Sequence, residues 1–184
     1  MFYITGDRHR HFLGLFHYCE KNKLAVDDTI IILGDAGINY YGQSIDKQLK
    51  RSLSSQKITF FCIHGNHEQR PETIDTYKEK IEFDAPVYFE EEYPNVLFAK
   101  DGEIYNLGGY QTLVIGGAYS IDKYARIKRG EPWWEDEQPS DKLKIRLLNR
   151  LITEKPKIDI VLSHTCPYRY IPLEGLIDGI DQTM

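Results

Sequence analysis

Six side chains able to bind a metal or move a proton stand just after short apolar runs: Asp7 and His9, Asp35, Asn66 and His67, and His164. The runs are 2–5, 29–33, 58–63 and 158–162, and each ends at a Gly or Ser beside these residues. In an open α/β sheet, ligands bind outside the carboxyl ends of the strands. Asp7 and Asp35 are 28 residues apart, and Asp35 and Asn66 are 31 apart. Each interval matches one strand–helix–strand unit of about thirty residues, so these side chains return to one sheet edge and form a site. Oxygen and nitrogen donors without thiolates suit Mn²⁺, Fe²⁺ or Zn²⁺, whereas a purely carboxylate set favours Mg²⁺ or Ca²⁺. A carboxylate that bridges would admit two ions, and two ions ~3.5–4 Å apart clamp the attacking and leaving oxygens of a displacement at phosphorus. Phosphoester hydrolysis is the chemistry such a site points to.

The elements that must position these groups follow from the apolar pattern. The four runs, with a fifth at 113–115 before Gly116-Gly117, read as strands buried on both faces. Between them, helical spacing of apolar residues marks 10–22 and 140–153, with a weaker helix at 44–55. Ser140 is placed to cap the second of these and Pro156 to close it. The segment 83–112 carries Asp101-Gly102 and Gly108-Gly109, which predict hairpins and a change from parallel to antiparallel pairing. Residues 120–139, rich in charge, Gly, Pro and Trp, predict an ordered surface excursion, and the acidic run Glu90-Glu91-Glu92 a solvated loop.

The 184 residues are 41% hydrophobic and 28% charged, the make-up of one folding α/β domain spanning 1–184. With 23 Lys and Arg against 28 Asp and Glu, the net charge of −5 excludes a broad nucleic-acid or anionic-membrane surface. Three distant cysteines without C-x-x-C spacing argue against a disulfide scaffold or thiolate zinc site. The first residues show no signal-peptide apolar region, and no apolar run approaches the ~20 residues that span a bilayer. A soluble, cytoplasmic protein is expected.

Asp7-x-His9, Gly34-Asp35, Gly65-Asn66-His67-Glu68 and Ser163-His164, in that order and over nearly the whole chain, resemble the calcineurin-like metallophosphoesterase superfamily. The stretch Gly116-Gly117-Ala118-Tyr119-Ser120-Ile121-Asp122 with Trp133-Trp134 is similar to a subgroup of small bacterial and phage members. The resemblance implies an α/β/β/α sandwich of two mixed sheets flanked by helices. It implies two divalent ions (Mn, Fe, Zn or Mg, with Mn favoured): Asp7 and His9 on the first, Asp35 bridging, Asn66 and His164 on the second. Asn66 and His67 would meet the substrate, a phosphorylated small molecule, nucleotide or other phosphoester, with His67 beside the scissile phosphate as general acid or hydrogen-bond donor. Asp35 and His67 are the catalytic candidates, and a metal-activated hydroxide would hydrolyse a phosphomonoester or phosphodiester. One departure stands out: the family's closing Gly-His-x-His segment has no counterpart, because none of the six histidines follows His164. Truncation at the C-terminus is the expectation, and removal of terminal strands would leave a sheet edge that favours a homodimer. Substitution by Asp178 or Asp181 is the weaker idea. A metal-poor, inactive relative that binds a phosphorylated ligand or a protein is the competing reading.

Other candidates divide between plain and functional roles. His11 and His17 lack partner spacing and read as structural, and His64 as packing or orienting its loop. Arg8 and Arg10 flank the first motif and could meet phosphate, although Arg10 reads more simply as surface charge. Arg126, Lys128 and Arg129 with Tyr119 and Tyr124 form either a lid over a phosphorylated substrate or a charged turn. Trp133-Trp134 either anchor a partner or close the core.

Overall fold

Short β-branched and aromatic runs become strands here because apolar neighbours lie on one or both faces. In the computed structural model, which describes residues 1–170, the chain runs through β1 (Phe2–Thr5), α1 (Leu13–Lys21), β2 (Thr29–Ile32), α2 (Gln43–Ser54), β3 (Thr59–Cys62), β4 (Lys78–Glu82), β5 (Ala85–Glu90) and β6 (Tyr93–Ala99). It continues through β7 (Ile104–Leu107), β8 (Tyr110–Ile115), α3 (Lys123–Arg129), α4 (Asp141–Glu154) and β9 (Ile160–Ser163). Asp178 and Asp181 lie outside the described residues. The strands form a six-stranded mixed sheet ordered β1-β2-β3-β6-β5-β4 and a three-stranded mixed sheet ordered β7-β8-β9. Pairing from β1 to β6 is parallel, and β5 and β4 add antiparallel.

Side-chain alternation splits the apolar residues into two cores. Ile31, Phe61, Ile63, Val87 and Leu97 of the larger sheet meet Tyr105, Leu107, Val114 and Leu162 of the smaller one. Ile30, Ile32, Phe60, Cys62 and Phe98 point the other way, onto Phe12 and Cys19 at α1 and Leu49 and Leu53 of α2. Ser140 caps α4 by accepting the Leu143 N–H at 3.2 Å, and α4 is tied to the β6–β7 turn by Arg146 and Arg150, which donate to the Asp101 and Gly102 carbonyls. The result is an α/β fold of two mixed sheets with helices outside, as expected.

Three details correct the sequence reading. First, β1 and β9 are not buried on both faces: Ile4, Ile160 and Val161 are exposed, because each strand lies at a sheet edge among the described residues. Second, Glu90 is not solvated; it ends β5 nine-tenths buried, accepting from Lys50 Nζ and Thr76 Oγ1. Third, the hairpin β4–β5 was not anticipated. Its strand Lys-Glu-Lys-Ile-Glu has no apolar alternation, and its turn, Phe83-Asp84, reverses with both residues at positive φ (53° and 66°) without a glycine. Among the described residues, no helix is long and apolar enough to cross a membrane.

Candidate metal centre

The loops after β1, β2, β3, β8 and β9 are hydrogen-bonded into one rim. Arg8 N–H and His9 N–H both donate to Asp35 O (3.1 and 2.8 Å), and Gly117 N–H donates to His64 O at 2.7 Å. Asp35 itself sits at positive φ (46°), and two glycines make room around it. A Cβ on Gly65 would lie 2.0 Å from Asp35 Oδ1, and one on Gly34, at φ +94°, would lie 2.1 Å from His164 Nδ1. Small residues before the motif side chains are therefore steric requirements of the convergence itself.

Asp35 is the centre of the cluster and almost fully buried. Its Oδ2 lies 3.6 Å from His9 Nε2, while its Oδ1 lies 3.6 Å from His164 Nε2 and accepts the His67 N–H at 2.8 Å. Asp7 closes the outer side, 3.8 Å from His9 Nε2 through one oxygen and 3.8 Å from His164 Nδ1 through the other. All six sequence candidates are thus in one place. A further grouping emerges: His9, Asp35 and His67 each offer a donor atom within 4.8 Å of the others, so His67 stands among the ligand-capable side chains as well as beside them. Burial pulls the His67 imidazole below its ordinary pKa.

The donor set suits a cation. His164 Nδ1 lies 2.7 Å from Leu33 O, which fixes the ring proton there, and Asn66 spends its amide N–H on Ser120 Oγ at 2.9 Å. His164 Nε2 and Asn66 Oδ1 then face each other at 2.9 Å as two acceptors. With the Asn66 oxygen turned toward the ring, a cation placed between the two would take up both lone pairs. A carboxylate with its two oxygens facing different imidazoles is also the arrangement a bridging ligand needs.

The supporting shell was largely invisible in the sequence. Ser120 Oγ accepts from both Asn66 and Arg126 Nη1 (3.1 Å), and Ser120 N–H donates to Glu137 Oε1 (3.0 Å), whose other oxygen accepts Trp133 Nε1–H at 2.8 Å. Arg126 is 1% exposed, so the solvated turn weighed for it does not describe its position. Arg70, buried, donates to Asp101 Oδ2 at 2.7 Å, and Asp101 Oδ1 accepts the Gly116 N–H at 2.7 Å, joining the loops after β3 and β8. Glu68 accepts the Gly65 N–H at 2.9 Å, and burial, with the charge of Asp35 second, pushes its carboxyl up to about 8. Arg10 is no free surface charge: it donates to Asp46 Oδ1 and Gly37 O, both at 2.8 Å, and to Ile45 O at 3.0 Å. Arg8 is likewise committed, to Thr5 Oγ1 and His11 O. The cue available in sequence was position: Ser120, Glu137 and the Trp pair all fall in the excursion that follows a motif strand.

A family model described as calcineurin-like phosphoesterase matches residues 1–180. The chain belongs to that family. No curated protein matches it. As a calcineurin-like phosphoesterase it carries the two mixed sheets expected of that fold and a His/Asp group that could hold a metal ion, and membership of the family implies a phosphoester substrate.

Proposed function

We propose that this calcineurin-like phosphoesterase hydrolyses phosphomonoesters or phosphodiesters with two divalent ions, Mn²⁺ first among Mn²⁺, Fe²⁺, Zn²⁺ and Mg²⁺. The observation that carries the reading is the divided Asp35 carboxylate, one oxygen toward His9 and the other toward His164. Asp7, His9 and Asp35 would hold one ion, and Asp35, Asn66 and His164 the other. Bound divalent ions supply water acidified to near-neutral pKa and neutralise charge on phosphoryl oxygens. The protein's own contribution is orientation. The His67 N–H to Asp35 holds the loop that presents the His67 ring, and Ser120 turns the Asn66 carbonyl oxygen inward. His67 is then positioned to donate to a substrate oxygen.

The test is Asp35→Asn, assayed with p-nitrophenyl phosphate and its diester in Mn²⁺, with circular dichroism as the fold control. Loss of turnover with the fold intact is expected, and unchanged turnover refutes the proposal. His67→Ala separates its two possible roles: retained Mn²⁺ with a lower rate marks a substrate contact, whereas loss of both marks a ligand. The alternative is a metal-poor relative that binds a phosphorylated ligand or protein. Metal analysis of the purified chain distinguishes the two readings.

A further inference from the structure

Beside the metal candidates lies a cleft of about 160 Å³ lined by His9, Arg10, Gly37, Tyr40, Tyr41 and His67. Two of its walls, His9 and His67, are members of the ligand-capable group. Whatever occupies the cleft is therefore next to the position a phosphoryl group would take. We propose that this cleft is the leaving-group subsite and that it selects a phosphoester bearing a flat aromatic ring, a nucleobase or an aryl group. The inference rests on the phosphoesterase reading above and names the substrate class of that site.

The chemistry of the lining supports it. Tyr40 is nearly parallel to His67, 17° between planes and 6.3 Å between centroids, and is braced by Trp134 edge-on at 5.7 Å and by the Arg126 guanidinium at 5.6 Å. Tyr41 meets Tyr40 edge-to-face at 4.7 Å and carries the Arg10 guanidinium over its ring at 5.2 Å. Three of the five Arg10 N–H donors are committed to Gly37, Ile45 and Asp46, which holds the guanidinium in place as a flat support for Tyr41. Tyr41 is nevertheless 56% exposed: it is an aromatic surface held in position with open area beside the site. Rigid aromatic platforms bind ring systems at small entropic cost because the platform is already ordered. Among the described residues the lining includes no carboxylate and no lysine. The volume lies below the ~300–1,000 Å³ of pockets that enclose drug-sized ligands, room for one ring system and too little to enclose a folded peptide or a long chain.

The experiment compares kcat/KM for adenosine 5′-monophosphate, p-nitrophenyl phosphate and glycerol 2-phosphate in the wild-type protein, Tyr41→Ala and Tyr41→Phe. Loss of one stacking surface is expected to lower the ratio of aromatic to glycerol ester kcat/KM by about 10-fold in Tyr41→Ala, with the ratio restored in Tyr41→Phe. An unchanged ratio in Tyr41→Ala overturns the subsite. A fall in the ratio for both aromatic esters supports stacking at large, and a fall for the nucleotide alone narrows the ligand to a nucleobase. Equilibrium binding of adenosine 5′-monophosphate to the metal-free protein, followed by intrinsic fluorescence, judges the subsite separately from catalysis. Affinity weakened about 10-fold by Tyr41→Ala supports the subsite even if no ester is hydrolysed, in which case only the function reading falls. Equal affinity in the two proteins, or no binding, overturns it.

Discussion

Adding a single methyl group at Gly34 tests whether the convergence of the β2 and β9 loops is what builds the metal centre. A Cβ there would lie 2.1 Å from His164 Nδ1, 2.5 Å from Cγ and 2.9 Å from Cε1. Restoring ordinary contact moves the imidazole by more than about 1 Å, which breaks its 2.7 Å hydrogen bond to Leu33 O. The backbone at φ +94° adds a penalty of roughly 1–2 kcal/mol for any L side chain, and the lost hydrogen bond about 1 kcal/mol more. Gly34→Ala should therefore lose about 2–3 kcal/mol of stability, a fall in Tm of roughly 4–12 °C for a chain of this size. A ligand displaced by 1 Å can cost on the order of 100-fold in rate, so turnover should fall by about that factor and Mn²⁺ affinity with it. Calorimetric titration with Mn²⁺, thermal melting and p-nitrophenyl phosphate turnover read the three quantities. Gly6→Ala is the control, since nothing lies within 4 Å of its added Cβ. Wild-type Mn²⁺ affinity and Tm in Gly34→Ala, or equal losses in Gly6→Ala, would refute the steric reasoning.

Ser120→Ala leaves the Asn66 amide and Arg126 Nη1 without their shared hydroxyl acceptor, and should weaken Mn²⁺ binding by about 10-fold, as loss of an outer-shell partner does; titration showing unchanged affinity would uncouple Ser120 from the site. Lys50→Met strands the buried Glu90 carboxylate and should cost about 3–5 kcal/mol in urea unfolding, whereas Lys50→Met with Glu90→Gln should recover much of that. An additive double variant would contradict the pairing. Among the described residues β9 borders the smaller sheet with Ile160 and Val161 exposed, and we propose that it pairs with a second copy of the chain. Size-exclusion chromatography at two concentrations should show a dimer that Val161→Lys dissociates, and a monomer at both concentrations refutes the pairing.

Local pattern alone was enough for much of the frame. The runs ahead of Asp7, Asp35, Asn66 and His164 read as strands because apolar and β-branched content is a property of a few neighbouring residues, and the one-unit spacing between motifs then brought their ends to one edge. Ser140 and the helix it caps were legible for the same reason. Hairpin β4–β5 was not, since its first strand owes its conformation to backbone pairing with β5 and not to its own composition. The same division runs through the site. Residue type marked the six metal-capable side chains. Only tertiary structure showed that His67 stands within donor distance of His9 and Asp35, that Arg126 and Glu90 are buried, and that Ser120 orients Asn66 from 54 positions away. A charged or hydroxyl side chain carries no local sign of whether its partner is water or another residue. That choice is made by desolvation when distant loops close over it, and so it belongs to the assembled fold.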